Sequence, residues 1–353
     1  MDKSISDDFR LTKKTAFLLF VLAVASSLII YSVFFTPLFS ERSEDEVDED
    51  DWTNYPYVIP GTDMRFPDEE GLYPDGETWI SVGTRLDFPD SDLERTYLVT
   101  LYHETSKDIY ISDPEETHKE HYGGERTLPE GKLDLTFEHT RLEDDRLKTK
   151  EGEAFHYEWR SFFEVDGTGY EIDLELESEK PPATVTDYGG EIVLGADYYR
   201  IHSLTHCNIT GTVSVNGETH EVSGIGWIEN QRGSFSGMGW DWFAFWDDRG
   251  VEMKIVNVYG AQQNKEYGMY VKIDGETLTI DDLSVEVTSV KRNFGYSWEI
   301  SSEEHPISLN ITCIDERMRY TGFAVGLAKV RGDLMGREVD TLTYVELTKT
   351  RSA

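Results

Sequence analysis

The residues best suited to chemistry lie in a short block rich in tryptophan. Four of the eight tryptophans, Trp227, Trp240, Trp242 and Trp246, fall within twenty positions of one another. Glu229 lies between Trp227 and the aromatic run that follows. A carboxyl group among apolar rings loses hydration, which raises its pKa and can keep it protonated. Because indole faces stabilise nearby positive charge, the block has the parts of a site that gives a proton to an apolar molecule.

Asp241 is the candidate for a second carboxylate, since it lies between two of these tryptophans. Each carboxylate also has an ordinary explanation. Glu229 could form an ion pair with Arg232, and Asp241 could be a turn or strand-edge residue on an acidic surface. We predict catalytic roles for Glu229 and Asp241 and leave both alternatives open.

The aromatic residues of this block predict either a packed core or the lining of a cavity. Aromatic side chains contribute the largest apolar burial per residue, so core packing alone can account for them. A barrel of about eight strands can also leave room for one small apolar ligand. In that second interpretation, the predicted ligand-binding residues are Trp227, Asn230, Gln231, Trp240, Trp242, Phe243 and Tyr199.

Most of the chain from Trp52 onward alternates apolar and polar residues with a period of two, as in residues 170–177 and 133–137. Such alternation is typical of strands with one solvated face. Asn216-Gly217, between two such runs, predicts a two-residue hairpin turn because both positions favour positive φ. No long helical period follows the N-terminal segment, so we predict an all-β fold of antiparallel barrels or sandwiches. Further strand-like runs are residues 97–102, 278–280, 283–287 and 344–347.

Residues 224–260 combine the motifs G-x-G-W, W-x-W-F and R-G-x-E. They resemble the central block of the AttH-like, carotenoid 1,2-hydratase superfamily. Lys180-Pro181-Pro182, Tyr198-Tyr199 and the run from Tyr344 to Thr348 resemble the family's K-P-P, Y-Y-S and Y-V-E-L-T passages. The resemblance implies two consecutive lipocalin-like antiparallel β-barrels. The matching positions of the central block are Gly224, Gly226, Trp227, Gly233, Trp240, Trp242, Phe243, Gly250 and Glu252.

The chain departs from the family pattern at the position that bears on activity. Glu229-Asn230 stands where the family commonly has Asp-His, and Arg232 stands where an aromatic residue is usual. Asparagine does not titrate, so a mechanism that relies on that histidine cannot operate unchanged. The departure favours binding of an isoprenoid- or carotenoid-like molecule without turnover. The alternatives are a hydratase- or isomerase-type enzyme, which the resemblance implies, and a structural cell-surface module whose barrels are filled.

The N-terminus predicts a single membrane anchor at residues 15–36, which carry no charge and are long enough to span a bilayer core of about 30 Å. A cleaved signal peptide is the alternative, but its apolar region is typically only about 7 to 15 residues. Lys13 and Lys14 precede the segment and acidic residues follow it, so residues 1–14 are predicted to be cytoplasmic. Residues 37–55 are predicted to form an extended acidic stalk outside the cell membrane.

The remainder of the chain is predicted to form two domains. Lys180-Pro181-Pro182 and Gly189-Gly190 interrupt the strand pattern, which places the boundary near residue 195. The first lipocalin-like domain is then residues 56–195 and the second is residues 196–353. Each has a usual domain size.

Two sequons, at Asn208 and Asn310, predict N-glycosylation of a segment that the topology places outside the cell. Cys207 and Cys313 are the two cysteines of the chain and adjoin these sequons. Period-two alternation turns both asparagines outward and both thiols inward. A disulfide bond and two buried thiols are equally compatible with this pattern.

The composition excludes one class of partner. Sixty-nine acidic and 33 basic residues give a net charge of −36. Nucleic-acid-binding proteins hold phosphate with clustered Lys and Arg, so no nucleic acid partner is predicted. A uniform acidic excess is typical of proteins from organisms that live in high salt, with cation binding or a basic partner as the alternatives.

No cofactor and no metal site are predicted. The sequence lacks H-E-x-x-H, P-loop, dinucleotide and G-x-S-x-G motifs. His202 and His206 are four apart, and on a strand that separates them by about 13 Å, too far to share a metal ion. The predicted partners are a hydrophobic small molecule and, through the N-terminal helix, the membrane. The sequence identifies no protein partner.

Overall fold

The computed structural model describes most of the chain from Trp52 to Thr348. The predicted cytoplasmic tail, the predicted membrane anchor and the stalk up to Asp51 lie outside the described residues. None of the described residues belongs to a helix that could span a bilayer. The described residues are 52–70, 77–91, 93, 95–103, 106–112, 117–127, 133–139, 142–185, 191–194, 197–234, 239–247, 249–259, 264–314 and 323–348.

The predicted all-β fold class is confirmed. The described residues form β-strands and one single-turn 3-10 helix at Asp68–Glu70. The strands are β1 (Tyr57–Val58), β2 (Arg65–Phe66), β3 (Glu77–Asp87), β4 (Thr96–Tyr102), β5 (Ser106–Ser112), β6 (Thr117–Thr127), β7 (Asp134–His139), β8 (Leu142–Thr149), β9 (His156–Val165), β10 (Thr168–Ser178), β11 (Glu191–Leu194), β12 (Asp197–Val215), β13 (Glu218–Gly233), β14 (Gly239–Trp246), β15 (Glu252–Tyr259), β16 (Asn264–Val271), β17 (Thr277–Ile280), β18 (Leu283–Lys291), β19 (Phe294–Ser302), β20 (Ile307–Cys313), β21 (Phe323–Leu334) and β22 (Glu338–Thr348).

Strands β3 to β13 form the first sheet, in the order β10-β9-β8-β7-β6-β5-β4-β3-β13-β12-β11. Strand β10 also pairs with β12, so the sheet curls round and closes on itself. Closure removes unpaired edges, as expected for a barrel. Gly211 is needed at the closing pair, because a Cβ there would lie 2.2 Å from the carbonyl oxygen of Asp173.

Strands β14 to β22 form the second sheet, in the order β17-β16-β15-β14-β22-β21-β20-β19-β18. Its pairs are antiparallel. Alternating residues such as Phe243, Phe245 and Trp298 fill its interior. A separate cluster that includes Trp159, Leu174 and Ile209 fills the first sheet.

The predicted hairpin turn is confirmed. Strand β12 ends at Val215 and β13 begins at Glu218. Between them Asn216 has φ 50° and Gly217 has φ 86°. Both values lie in the left-handed region that Asn and Gly tolerate best.

Two predicted boundaries do not coincide with the sheets. The boundary near residue 195 lies inside the first sheet, because β12 and β13 pair with β10 and β3. The division between the sheets therefore falls between Gly233 and Gly239. Trp52 and Tyr55, at the end of the predicted stalk, pack against Phe155 in the first core. Pro-Pro and Gly-Gly interrupt a strand but do not decide which strands then pair.

The two cysteines, both of which the structure describes, are not joined by a disulfide bond. Cys207 lies in the core of the first sheet and Cys313 in the core of the second. The pairing left open by the sequence is therefore absent, because each thiol belongs to a different core. Asn208 and Asn310 are exposed, as the alternation predicts. Their glycosylation stays a prediction.

We expect the unfolded, unreduced protein to react as a dithiol. Each cysteine is buried in the folded state, so a thiol reagent should count close to none before unfolding and two after it. The measurement is a thiol titration in denaturant without reductant. A count of zero after unfolding would contradict the structure.

A third buried cluster lies between the two sheets. The outward faces of the first sheet and of the second sheet meet here, so one face of each contributing strand is covered by the other sheet. The cluster comprises Tyr97, Val99, Leu101, Tyr110, Ala183, Val185, Ile192, Tyr199, Ile201, Trp227, Trp242, Ala244, Trp246, Val256, Val258, Met269, Val271, Val325, Leu327 and Tyr344.

Candidate functional site

Strand alternation brings several charged side chains into this apolar interface. On β13, Trp227, Glu229 and Gln231 share one face, and on β15 the same holds for Glu252 and Lys254. All five are buried. Buried charges are costly unless they are paired and hydrogen-bonded, so their partners decide what the interface can do.

Glu229 is held by an ion pair that crosses the interface. The Lys254 Nζ lies 2.5 Å from the Glu229 Oε2, and both side chains are fully buried. The Ser203 hydroxyl and the Trp227 ring N–H donate to the same oxygen at 3.0 and 3.3 Å, and Gln231 donates to the Oε1. The carboxylate therefore has a partner for each oxygen.

The alternative partner proposed for Glu229 is not the one that the structure shows. Arg232 lies three residues further along β13, which turns it to the opposite face of the strand. There its guanidinium lies 2.8 Å from Glu69, in the 3-10 turn. Glu229 does have an ion pair, but with Lys254 of the second sheet.

Glu346 is a second buried acid beside this pair, and it is absent from the site residues that the sequence predicts. Its side chain is 1% exposed and accepts a hydrogen bond from the Ser81 hydroxyl at 3.1 Å. Burial raises the pKa of Glu346 to about 8, and the nearby charge of Glu229 contributes to that rise. Glu346 is therefore a neutral carboxylic acid at pH 7. An acid at an interior-facing position of the apolar run 344–347 is the sequence signal that could have found it.

We call Glu229, Lys254 and Glu346 the polar centre. Strand register explains why they meet: Ser81 pairs with Glu229 across β3 and β13. In the second sheet Ala244 pairs with Lys254, and Trp242 pairs with Glu346. The polar centre thus lies where β13 of the first sheet faces β15 and β22 of the second sheet.

At one end of the interface, three aromatic side chains form what we call the aromatic mouth: Trp79, Trp240 and Phe323. Their ring centroids are 5.5 to 6.0 Å apart and the rings pack edge to face. All three are only partly buried. Trp79 precedes Ser81 by two residues on β3 and therefore lies on the same face, next to the polar centre.

At the other end lies a clamp formed by Lys180, Glu252 and His206. The Lys180 Nζ donates to Glu252 at 2.8 Å and to the carbonyl oxygens of Gly250 and Lys272 at 2.7 and 2.8 Å. The His206 Nδ1 lies 2.8 Å from the other Glu252 oxygen. Lys180 belongs to the K-P-P motif, so this motif fastens the first sheet to the second.

Five of the seven predicted ligand-binding residues lie at the interface between the sheets. Trp227, Trp242 and Tyr199 belong to the interface cluster, Gln231 bonds Glu229, and Trp240 is part of the aromatic mouth. Two others are not brought to this site. They are Asn230, whose amide donates to the Glu69 carbonyl at 3.3 Å on the other face of β13, and Phe243, which packs in the second core.

The two predicted catalytic carboxylates lie in different layers. Asp241 precedes Trp242 on β14 and so faces the second core, where it accepts a hydrogen bond from the Trp298 ring N–H at 3.2 Å. Burial raises the pKa of Asp241 to about 7. Glu229 faces the interface instead. The structure therefore pairs Glu229 with Glu346, not with Asp241, as neighbouring carboxyl groups.

A small gap lies within the interface. It has a volume of about 10 Å³, roughly the space that one water molecule needs, and is lined by Tyr97, Val99, Tyr110, Ser112, Gly326, Leu327 and Tyr344. Ligand pockets usually measure about 300 Å³ or more. A ligand that reaches the polar centre must therefore displace side chains, and the three rings of the mouth are only partly buried.

Comparison with known proteins gives one family and one fold. Residues 107–349 match the family model described as AttH-like. A protein from Nitrosomonas europaea described as an AttH superposes with a TM-score of 0.66 at 18% identity, and the match covers 83% of this chain and 99% of that one. Kievitone hydratase from Nectria haematococca superposes with a TM-score of 0.61 at 14% identity, over 78% of this chain and 90% of that one. No curated protein matches the sequence significantly.

Proposed function

We propose, because the chain belongs to the AttH-like family, that it binds a hydrophobic small molecule between its two sheets. The observation that carries the proposal is the aromatic mouth, whose Trp79 lies on the same strand face as the buried polar centre. Buried acids and a buried lysine inside an apolar interface are costly for a protein that only needs to fold. These buried charged residues would have a function in a binding site where a few polar groups orient an apolar ligand.

The walls of the interface favour a flat or extended apolar ligand. Trp227 and Trp242 pack edge to face at 6.4 Å, and Tyr199 belongs to the same cluster. Aromatic rings offer large contact areas to conjugated or branched hydrocarbon chains. An isoprenoid or carotenoid-like molecule has this shape.

We expect a short isoprenoid polyene to quench the tryptophan fluorescence of the wild-type protein. Trp79→Ala should weaken binding about tenfold, since the mouth loses a large aromatic contact surface. Ile273→Ala is the matched control, because Ile273 is an exposed apolar residue at 60% exposure. The measurement is a fluorescence titration. Binding that neither variant changes would place the ligand elsewhere, and no binding would favour a purely structural role.

A hydratase is the second candidate function, and Glu346 is the observation that favours it. Addition of water to a carbon–carbon double bond begins with proton transfer from an acid. Glu346 can donate that proton, and its carboxylate can then take one proton from the water that adds to the cation. Glu229, predicted for this acid role, lies in an ion pair with Lys254 and supplies fixed negative charge that stabilises the cation.

Incubation with polyenes tests the second candidate. We expect a product heavier by one water, which Glu346→Gln should abolish while ligand binding persists. Glu229→Gln with unchanged turnover would remove Glu229 from the mechanism. Binding without any such product would leave the protein as a binder.

We also propose that residues 15–36 anchor the protein in the membrane and that the two sheets lie outside the cell. A ligand that dissolves in lipid reaches a membrane-anchored binder directly. The test is fractionation of cells that produce the full chain, compared with a chain that begins at Trp52. Recovery of both chains in the soluble fraction would overturn the anchor.

A further inference from the structure

The ring nitrogen of Trp242 is a buried hydrogen-bond donor without an acceptor in the described part of the molecule. The residue is 4% exposed. Other buried tryptophans have acceptors for their ring N–H: Trp227 has Glu229 at 3.3 Å, Trp246 has the Thr205 carbonyl at 2.6 Å and Trp159 has the Tyr102 hydroxyl at 2.7 Å. A buried donor without a partner is unusual and calls for an explanation.

Glu346 contributes a second donor of the same kind. The Ser81 hydroxyl donates to the Glu346 Oε1, so the hydrogen of the neutral acid belongs on the Oε2. The Oε2 is buried and has no hydrogen-bond partner among the described residues. This second donor also lacks an acceptor.

The two donors are neighbours on one face of the second sheet. Trp242 and Glu346 are directly opposite each other in the register of β14 and β22. Side chains in such a pair have Cβ atoms about 4.5 to 5.5 Å apart and lie on the same face. That face is turned to the first sheet, at the polar centre.

A carbonyl oxygen is the acceptor that fits two adjacent donors. It has two lone pairs, so one oxygen can accept both hydrogen bonds. A pure hydrocarbon would leave both donors without partners, and a site built with polar groups rejects ligands that leave them unpaired. The two donors therefore restrict the chemical class of the ligand more than the aromatic residues of the interface do.

We propose that the ligand is an apolar ketone, enone or ester whose carbonyl oxygen accepts hydrogen bonds from the Trp242 ring N–H and the Glu346 carboxylic acid. The inference rests on the proposed binding function and narrows its ligand class. The apolar part of the ligand lies along Trp227 and toward the aromatic mouth. The carbonyl end lies at the polar centre.

The experiment compares two probes that differ only in the carbonyl group: β-ionone, an isoprenoid enone, and the hydrocarbon that lacks its oxygen. Both are measured with the full-length protein by equilibrium dialysis at pH 7. We expect the ketone to bind about tenfold more tightly than the hydrocarbon, as two modest hydrogen bonds predict. Equal affinities would overturn the inference and leave the binding function intact.

The variants separate recognition from folding. Trp242→Phe removes the N–H and keeps a smaller aromatic ring, so ketone affinity should fall several-fold more than hydrocarbon affinity. Glu346→Leu should act in the same direction, and Glu346→Gln, which keeps an N–H donor, should retain ketone binding. Trp159→Phe in the first core is the matched control and should leave ketone affinity unchanged.

A ketone affinity that Trp242→Phe and Glu346→Leu both leave unchanged would overturn the assignment of the donors. If neither probe binds and polyenes cause no quenching, the binding function itself fails, and the carbonyl inference fails with it. These two failures are therefore distinguishable.

Discussion

Replacement of Lys254 by methionine is expected to destabilise the protein by about 3 to 5 kcal/mol, the usual cost of removing one partner from a buried ion pair. The Glu229 carboxylate would lose a cation 2.5 Å away and stay buried at the interface. Ser203, Trp227 and Gln231 would still donate to it. Neutral donors cannot balance a full charge that has been removed from water.

The double variant Lys254→Met with Glu229→Gln is the decisive comparison. It removes both charges, so most of the loss seen in the single variant should be recovered. The free energy of unfolding from urea denaturation at pH 7 is the measurement. A double variant as unstable as Lys254→Met alone would show that lysine packing, and not charge pairing, supports the interface.

An exposed ion pair provides the matched control for Lys254. Lys272 lies 2.5 Å from Glu276 on the surface, with 43% of its side chain exposed. Solvent screens such a pair, so Lys272→Met should change the free energy of unfolding far less than Lys254→Met does. The contrast between the two lysines measures what burial adds to the same chemistry.

Glu346→Gln is expected to change how the stability of the protein depends on pH. Burial raises the pKa of Glu346 from 4.5 to about 8 in the folded state. Between these values the unfolded chain ionises and the folded chain does not, so this residue lowers stability as pH rises, by about 1.4 kcal/mol per pH unit. Its contribution is absent below about pH 4.5 and constant above about pH 8.

Several charged or titratable groups surround Glu346. Glu229 raises its pKa, while Lys254 and the Ser81 hydroxyl lower it. Glu346 in turn raises the pKa values of Tyr199 and Tyr110. The glutamine side chain introduced by Glu346→Gln cannot titrate but can still accept the hydrogen bond from Ser81, so the comparison isolates one group.

Urea denaturation at several pH values from 5 to 9 measures the effect. The variant and the wild type should have similar free energies of unfolding at pH 5. At pH 8 and above, the variant should be more stable than the wild type by several kcal/mol. Glu299 lies at an exposed position of β19, so the stability of Glu299→Gln should depend on pH in the same way as that of the wild type. Parallel curves for Glu346→Gln would show that Glu346 ionises normally in the folded state.

Local patterns are sufficient to predict many of the strands. Period-two alternation in residues 170–177 predicts β10, and Asn216-Gly217 predicts the turn between β12 and β13. These signals depend only on neighbouring residues, because the pleat and the φ values of a turn are local properties. The exposure of Asn208 and Asn310 follows from the same alternation.

Only some of the residues of the site can be predicted from the sequence. Glu229 can be found because it lies among tryptophans, and Trp242 because it lies in the same block. Glu346 cannot be predicted in this way, because it lies about one hundred residues from that block. Only the pairing of β14 with β22 brings Glu346 next to Trp242. The ionisation of a carboxyl group depends on its distance from other charges, and such distances are set by the pairing of strands.

The β-strands of this chain, its clearest turn and the carboxylate that lies among aromatic rings can all be predicted from the sequence, because each depends on local spacing. The pairing of Glu229 with Lys254 and not with Arg232, and the position of Asp241 in a different core, follow from how the strands pair and pack. Two sheets share an interface, so the partners of a buried charge come from strands that lie far apart in the sequence. The site belongs to that interface.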